Sequence, residues 1–279
     1  MAQLSAAPLA ERYDEIARTV QERRRQKARR TQATLWSIRI ASLLVVLAAW
    51  QIYGSHTLAI IFVPFTTVIQ AGVDLFVNQN FGDAVFYSVW TFFLGLVVGS
   101  ILGIAVGLLI GWSKKAEAAI GLYIYALYAT PMVTLVPLIV LWFGVELTAQ
   151  MIIILLFVFF PVVVTVYNGV TQVDRGLLDV GRVFGASQLQ MWRHIVLPAV
   201  TPYIMTGITQ AVAMGLVGMF IAEIFTALSG IGAVLETQAN AYHTAPTLAT
   251  ILVIMVLGVA FRYLVSYAQQ RLAPWFSET

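Results

Sequence analysis

Long apolar stretches separated by short polar ones set the pattern of this chain. A helix needs roughly 20 residues to cross the hydrocarbon core of a bilayer. Six stretches come near or exceed that length: Leu35–Tyr53, Val85–Gly111, Ala118–Phe143, Ala149–Val170, Tyr203–Leu228 and Pro246–Val265. The pattern predicts an all-α integral membrane protein with six transmembrane helices. Shorter segments, Thr66–Val77 and Ala233–Ala241, are expected as helices outside the spans.

The second span carries Gly95, Gly99, Gly103, Gly107 and Gly111, one glycine every four residues, which makes a smooth ridge for close helix packing. Pro131 and Pro137 interrupt the third span. Each removes a helix hydrogen bond and crowds the preceding turn, so this helix should kink or break near mid-depth. Such breaks line transport paths or serve packing alone, and the sequence leaves both readings open. Glu223 lies inside the fifth span near its end. An acid there is costly unless paired or wetted; it belongs either to a path or to an interface, where it reaches water or caps a turn.

Charge orients the spans. All 16 Lys and Arg fall in the N-terminal region, the turn at 112–117, the loop at 171–197 or the C-terminal end, where Arg262 and Arg271 mark the close of the last span. The intervening segments carry Asp74, Asp83, Glu146 and Glu236 and no basic residue. The excess of positive charge inside puts both termini and the 171–197 loop in the cytoplasm. Residues 1–34 form a basic tail in which Leu9, Tyr13, Ile16 and Val20 repeat at helical spacing, so a helix on the surface of anionic lipid competes with a solvated tail. The charged region is too long for a cleavable signal, and the first span is expected to remain as an anchor. Residues 35–279 then form the transmembrane domain.

Composition agrees and narrows the chemistry. The chain is 60% hydrophobic and 10% charged over 279 residues, with mean hydropathy +0.86; soluble domains average about 25% charged residues. The absence of cysteine removes disulfides and thiolate chemistry, and His56, His194 and His243 sit in no metal-ligand spacing. Net charge +3 is concentrated in the tail and short loops, which does not suggest nucleic acid. No catalytic set stands out, and the sequence has no phosphate-cradling P-loop. No cofactor is expected on this chain, and energy for uphill transport would have to come from elsewhere.

The exception to the scaffold is a polar interlude, Asp174–Pro202. Leu177, Leu178, Val180, Val183 and Phe184 alternate with Asp174, Arg175, Asp179 and Arg182 at helical spacing, which predicts a short amphipathic helix. Gly185 should end it as a C-terminal cap. A second short helix, Ser187–His194, should follow with Ser187 as N-cap, and Pro198 and Pro202 mark re-entry into the membrane. A bent pair of this kind fits a groove on a soluble partner, although such loops are also common as plain surface elements.

Asp179, Val180 and Gly181, then Gly185, Ile195, Leu197 and Pro198, fall in a spacing that resembles the cytoplasmic loop of membrane subunits of binding-protein-dependent ABC importers. That loop reads Glu-Ala-Ala, three residues, Gly, nine residues, Ile, one residue, Leu-Pro; here the opening triplet departs while every later anchor is in register. The resemblance covers about Val63 to the C-terminus and implies the type I importer permease fold. It implies coupling to an ATPase through Asp179, Gly181, Val183, Phe184, Gly185, Ala186, Ile195, Leu197 and Pro198 within 174–198. It also implies a second copy of the chain, an ATPase dimer carrying ATP and Mg on the cytoplasmic face, and a periplasmic or lipid-anchored substrate-binding protein. The host membrane would be a bacterial plasma (inner) membrane. Ser229-Gly230-Ile231-Gly232 resembles the start of the family's outer gating segment, so Pro131, Pro137, Glu223, Gly230 and Gly232 are candidates for path or gate. Phe62-Val63-Pro64, Thr134–Gly144, Gly185-Ala186-Ser187, Val196–Ala199 and Arg271–Trp275 look like the nitrate, sulfonate, taurine and bicarbonate branch, implying a small, anionic or polar solute. A self-sufficient secondary transporter or channel is the alternative, with Glu223 as the acid it would use.

Overall fold

A computed structural model describes residues 7–226 and 229–272. Leu228, assigned to the fifth span, and Ala273–Trp275 of the branch-like ending lie outside the described residues. The described chain is helical and divides into two compact units, 1–66 and 67–279.

The first unit is built on α1 (Ala7–Ser55), one unbroken helix that carries the apolar stretch Thr31–Ser55. The chain after it folds back on the helix end. Trp50 Nε1 donates to the Val63 carbonyl at 3.1 Å, and the Trp50 ring packs on Phe62 and Phe65 at centroid distances of 5.5 and 5.6 Å. Gly54 permits this return, because a β-carbon there would stand 2.5 Å from Pro64 N.

The second unit contains most of α2 (Phe65–Asn78), then α3 (Phe81–Trp112) and two arms, α4 (Lys114–Ala129) and α5 (Met132–Phe143), which meet at a 95° bend. It continues with α6 (Leu147–Thr171), α7 (Arg175–Val183), α8 (Gln188–Thr226), α9 (Ile231–Asn240) and α10 (Thr244–Leu272). Among the described residues five helices are long and apolar enough to cross a membrane, or six spans if the bent pair counts as one.

Packing centres on α6, the most buried of these helices, which lies between α3 and α8. The glycine ridge of α3 is filled in register: Gly95, Gly99, Gly103, Gly107 and Gly111 receive Ile154, Val158, Val162, Val166 and Val170. A β-carbon at Gly103 would come within 2.8 Å of Val162 Cβ. The β-branched side chains enter the notches with their χ1 already restricted, so close contact costs little side-chain entropy. Because both series ascend together, α3 and α6 run parallel. Val158 also enters Gly215 of α8 and Gly207 lies against Val162, so α8 shares this seam and runs antiparallel to α6.

Two expectations are corrected here. Pro137 does not kink a helix; it occupies the first turn of the α-helical part of α5, where a missing N–H costs nothing. The break belongs to Thr130-Pro131 alone. Nor is Ser187–His194 a separate short helix. Residues from Gln188 onward pass through a wider π-type turn at Trp192–Val196 directly into the long apolar helix, with Pro198 in its first turn and Pro202 inside it.

Candidate coupling loop and helix junction

At one end of the second unit, α7 and the start of α8 form a hairpin whose backbone is fixed by its own sequence. Asp174 caps α7 by accepting from the Gly176 N–H at 2.8 Å. At the other end of α7, Gly185 adopts φ +72°, the Ala186 N–H reaches the Gly181 carbonyl at 2.9 Å, and the Gly185 N–H reaches that of Arg182 at 3.0 Å. This pair of bonds is a Schellman termination, which favours glycine at its left-handed position. Ser187 then opens α8 with a capping box: its N–H donates to Gln190 Oε1 at 2.8 Å, and its hydroxyl accepts from the Gln190 N–H at 3.3 Å.

The hairpin has a fixed face and a free one. Gly181 and Met191 are buried at the crossing of the two helices, with Ile195 against them. Trp192 packs at a tilt of 51° against Trp112 at the end of α3 with centroids 4.8 Å apart, and Val196 is wholly buried. On the opposite side Val183, Phe184 and Leu189 are 83%, 85% and 76% exposed, beside Leu177 and Val180. Ala186 is half-buried, while Leu197 and Pro198 lie on the surface at the start of the long apolar part of α8. Among the described residues Asp179 pairs with Arg182 alone, at 2.8 Å and largely exposed, so this bond adds little stability. Leaving a ring such as Phe184 in water on a braced platform is the geometry of a contact surface.

The candidate gate residues come together at the other end of the unit. Glu223 on α8 is 1% exposed, and its Oε2 accepts from the Gly232 N–H at 2.8 Å, which places a carboxylate on the positive end of α9. Of the two interfacial readings, the structure favours the cap over the acid that reaches water. Ser88 of α3 accepts from the Ile231 N–H at 2.8 Å, so both leading amides of α9 are satisfied from neighbouring helices. Gly230, at φ +101°, has no room for a side chain because a β-carbon would fall on the Glu223 carboxylate; one at Gly232 would stand 2.7 Å from Glu223 Cβ.

Sequence reasoning missed Ser88 and a buried polar chain next to it. Tyr87 donates to Gln150 Oε1 at 2.7 Å, and Gln150 Nε2 donates to Thr226 Oγ1 at 2.6 Å. Gln150 near the start of an apolar run was the available signal. A cavity of about 540 Å³ opens beside this junction, lined by Gln79, Asp83, Tyr87, Gly230 and Gln238 among others. Pro131 belongs elsewhere: it lines a smaller cavity of about 290 Å³ with Tyr128, Met132, Phe157, Phe160 and Met214 at the break between α4 and α5. Pro137 does not line that cavity. Among the described residues no cluster of His, Asp or Glu is suited to a metal ion.

The profile of the family described as the binding-protein-dependent transport system inner membrane component matches residues 95–274, which include the hairpin of α7 and α8, the Pro131 break and Glu223 with Gly230 and Gly232. The chain belongs to this family. It is a permease subunit of an ABC importer, a multi-pass inner-membrane transport subunit rather than an enzyme. The permease is 28% identical over 234 residues to SsuC of Bacillus subtilis, by name an aliphatic sulfonates transport permease, covering 83% of this chain and 84% of that one. It is 27% identical over 249 residues to TauC, the taurine transport system permease protein of Escherichia coli, covering 87% and 90%. These likenesses support the nitrate, sulfonate and taurine branch. In fold it is similar to the crystal structure of an amino acid ABC transporter, with TM-score 0.58 at 19% identity, over 69% of this chain and 94% of that one. The permease has the type I importer fold.

Proposed function

We propose that this permease crosses the membrane six times with both termini in the cytoplasm, pairs with a second copy of itself, and takes its energy from a separate ABC ATPase dimer docked on residues 174–198. The parallel course of α3 and α6 supports the count, because the chain between them must return across the bilayer, and only the bent pair α4 and α5 is available for that crossing. Lys114, Lys115, Arg175, Arg182 and Arg193 gather at the end where Trp112 meets Trp192, which supports the orientation.

The observation that carries the coupling role is the braced hairpin with Val183, Phe184 and Leu189 held outward. Its rigid capping on one side and continuity with α8 on the other make it a lever: displacement at Phe184 is transmitted to a helix that packs along α6. ATP and Mg reside on the partner. Solute, a small anion delivered by a periplasmic or lipid-anchored binding protein, passes the Pro131 cavity, and the Glu223–Gly230–Gly232 junction holds the outer gating helix α9.

Co-purification tests this reading. Expressed with its neighbouring genes and extracted in mild detergent, the chain should be recovered with an ATP-hydrolysing subunit in equal numbers. Recovery alone, with unaided solute flux in liposomes, would instead support a self-sufficient transporter.

A further inference from the structure

The Pro131 cavity lies at the middle of α6, where Leu156, Phe157, Phe160 and Pro161 line it, with Tyr128 of α4 and Met214 of α8 among its other walls. The same helix faces can be followed from there toward the hairpin. One turn below Met214 comes Gln210, one and two turns below Pro161 come Thr165 and Asn168, and one turn below Tyr128 comes Tyr125. At each of these places a polar side chain replaces the apolar cavity wall. Gln210 is exposed, Tyr125 is 40% exposed, and Thr165 and Asn168 are half-buried, so the chain's own packing leaves this face open. Uncharged polar groups left open within spans call for protein or water against them rather than lipid tails.

The hydrogen bonds along this face share one sense. Thr165 Oγ1 donates to Gln210 Oε1 at 3.1 Å, Tyr125 Oη reaches Asn168 Oδ1 at 3.5 Å, and at the mouth Tyr203 donates to Gln172 Oε1 at 2.9 Å. Each amide oxygen is engaged, while the amide nitrogens of Gln210, Asn168 and Gln172 have no acceptor among the described residues. The Tyr125 ring meets that of Tyr167 edge-on at 5.8 Å, and the Tyr167 hydroxyl donates to Glu117, so the acid at this end of α4 is itself engaged. A row of free N–H donors whose acceptors are spent favours an oxyanion over a cation. Because no rung carries a fixed positive charge, each stop is weak enough for the ion to leave.

We propose that Gln210, Asn168 and Gln172 are the anion-selecting rungs of the cytoplasmic half of the solute's route, leading from the Pro131 cavity to the hairpin side of the membrane. This rests on the importer reading and adds to it the residues that decide which charge passes.

The chain has no cysteine, so single cysteines report which side chains meet water. Gln210→Cys and Asn168→Cys are compared with Leu109→Cys in inside-out vesicles from cells that express the whole operon. Leu109 is 54% exposed on α3 and, lying between Gly107 and Gly111, which meet Val166 and Val170, it stands level with Asn168. The probes are methanethiosulfonate ethylsulfonate and its cationic trimethylammonium counterpart, each rate taken relative to that of a free thiol. Gln210→Cys and Asn168→Cys should react with the anionic probe about tenfold or more faster than Leu109→Cys, and faster than with the cationic probe. Asn168→Asp added to Gln210→Cys should slow the anionic probe about tenfold and spare the cationic one. If that combination does not assemble, Asn168→Leu should still slow the anionic probe more than the cationic one. Rates for Gln210→Cys no higher than for Leu109→Cys, or equal for the two probes, overturn the proposal. Trapped nucleotide should change the rates for Gln210→Cys and Asn168→Cys; rates that ignore nucleotide, while the pattern of sites and charges holds, count against the ATP-driven reading alone.

Discussion

Gly181 lies directly beneath Met191: a β-carbon on the glycine would stand 2.5 Å from the methionine sulphur and 2.9 Å from Ile195 Cδ1. The position matches the last alanine of the family's opening triplet, and the contact gives the physical reason that a small residue belongs there. Gly181→Ala should be tolerated, since the methionine end can shift. Gly181→Leu should splay the hairpin, leaving assembly intact while uptake and uptake-linked ATP hydrolysis fall together. Normal uptake in the leucine variant would mean that the crossing does not set the coupling geometry.

Gly185 separates backbone from contact. Its β-carbon position is open space, so substitution acts through φ +72° or through the partner. Gly185→Asn, which accepts the left-handed region, should keep most activity. Gly185→Val should cost about 1–2 kcal/mol of local conformational energy, and Gly185→Glu should uncouple hydrolysis from uptake without loss of insertion. Parallel assays of uptake and hydrolysis distinguish these outcomes.

The ridge on α3 predicts a stability effect. Gly103→Leu must displace Val162 and the Phe159 carbonyl, and should lower the thermal midpoint and yield in detergent, with an overpacking cost of about 1–3 kcal/mol. Gly82→Ala, in open space on the same helix, is the control and should be neutral.

Much of this arrangement is legible in the sequence because a bilayer demands long apolar helices with internally satisfied backbones. Most apolar stretches fall within a few residues of the long helices for that reason, except the fifth, whose helix begins at Gln188 rather than near Tyr203, and the caps at Gly185 and Ser187 are local signals. Partners across helices are harder. The filling of the ridge was available as Ile154, Val158, Val162, Val166 and Val170 at four-residue intervals, but hid within an all-apolar run. Pro137 misled because proline costs a bond inside a helix and none in its first turn. The acid at 223 was visible, whereas its attachment to Gly232 and the nearby role of Ser88 depend on which helix ends meet.

Glu223 should behave as a structural acceptor. Glu223→Gln retains an oxygen for the Gly232 N–H and should change uptake less than Gly185→Glu does. Glu223→Ala leaves that buried amide without its partner, at a cost of about 1–3 kcal/mol. Hydrogen exchange at Ile231 and Gly232 should quicken in the alanine variant. Equal loss of uptake in the glutamine and alanine variants, with normal assembly, would point to a charge-dependent role in the path.

The most direct test of the coupling role is a photo-crosslinking residue in place of Phe184, activated in membranes from cells that express the whole operon. The account predicts one main adduct with an ATP-hydrolysing subunit, whose yield changes when nucleotide is trapped. Adducts confined to lipid or to a second copy of the chain, in cells that still take up solute, would contradict it.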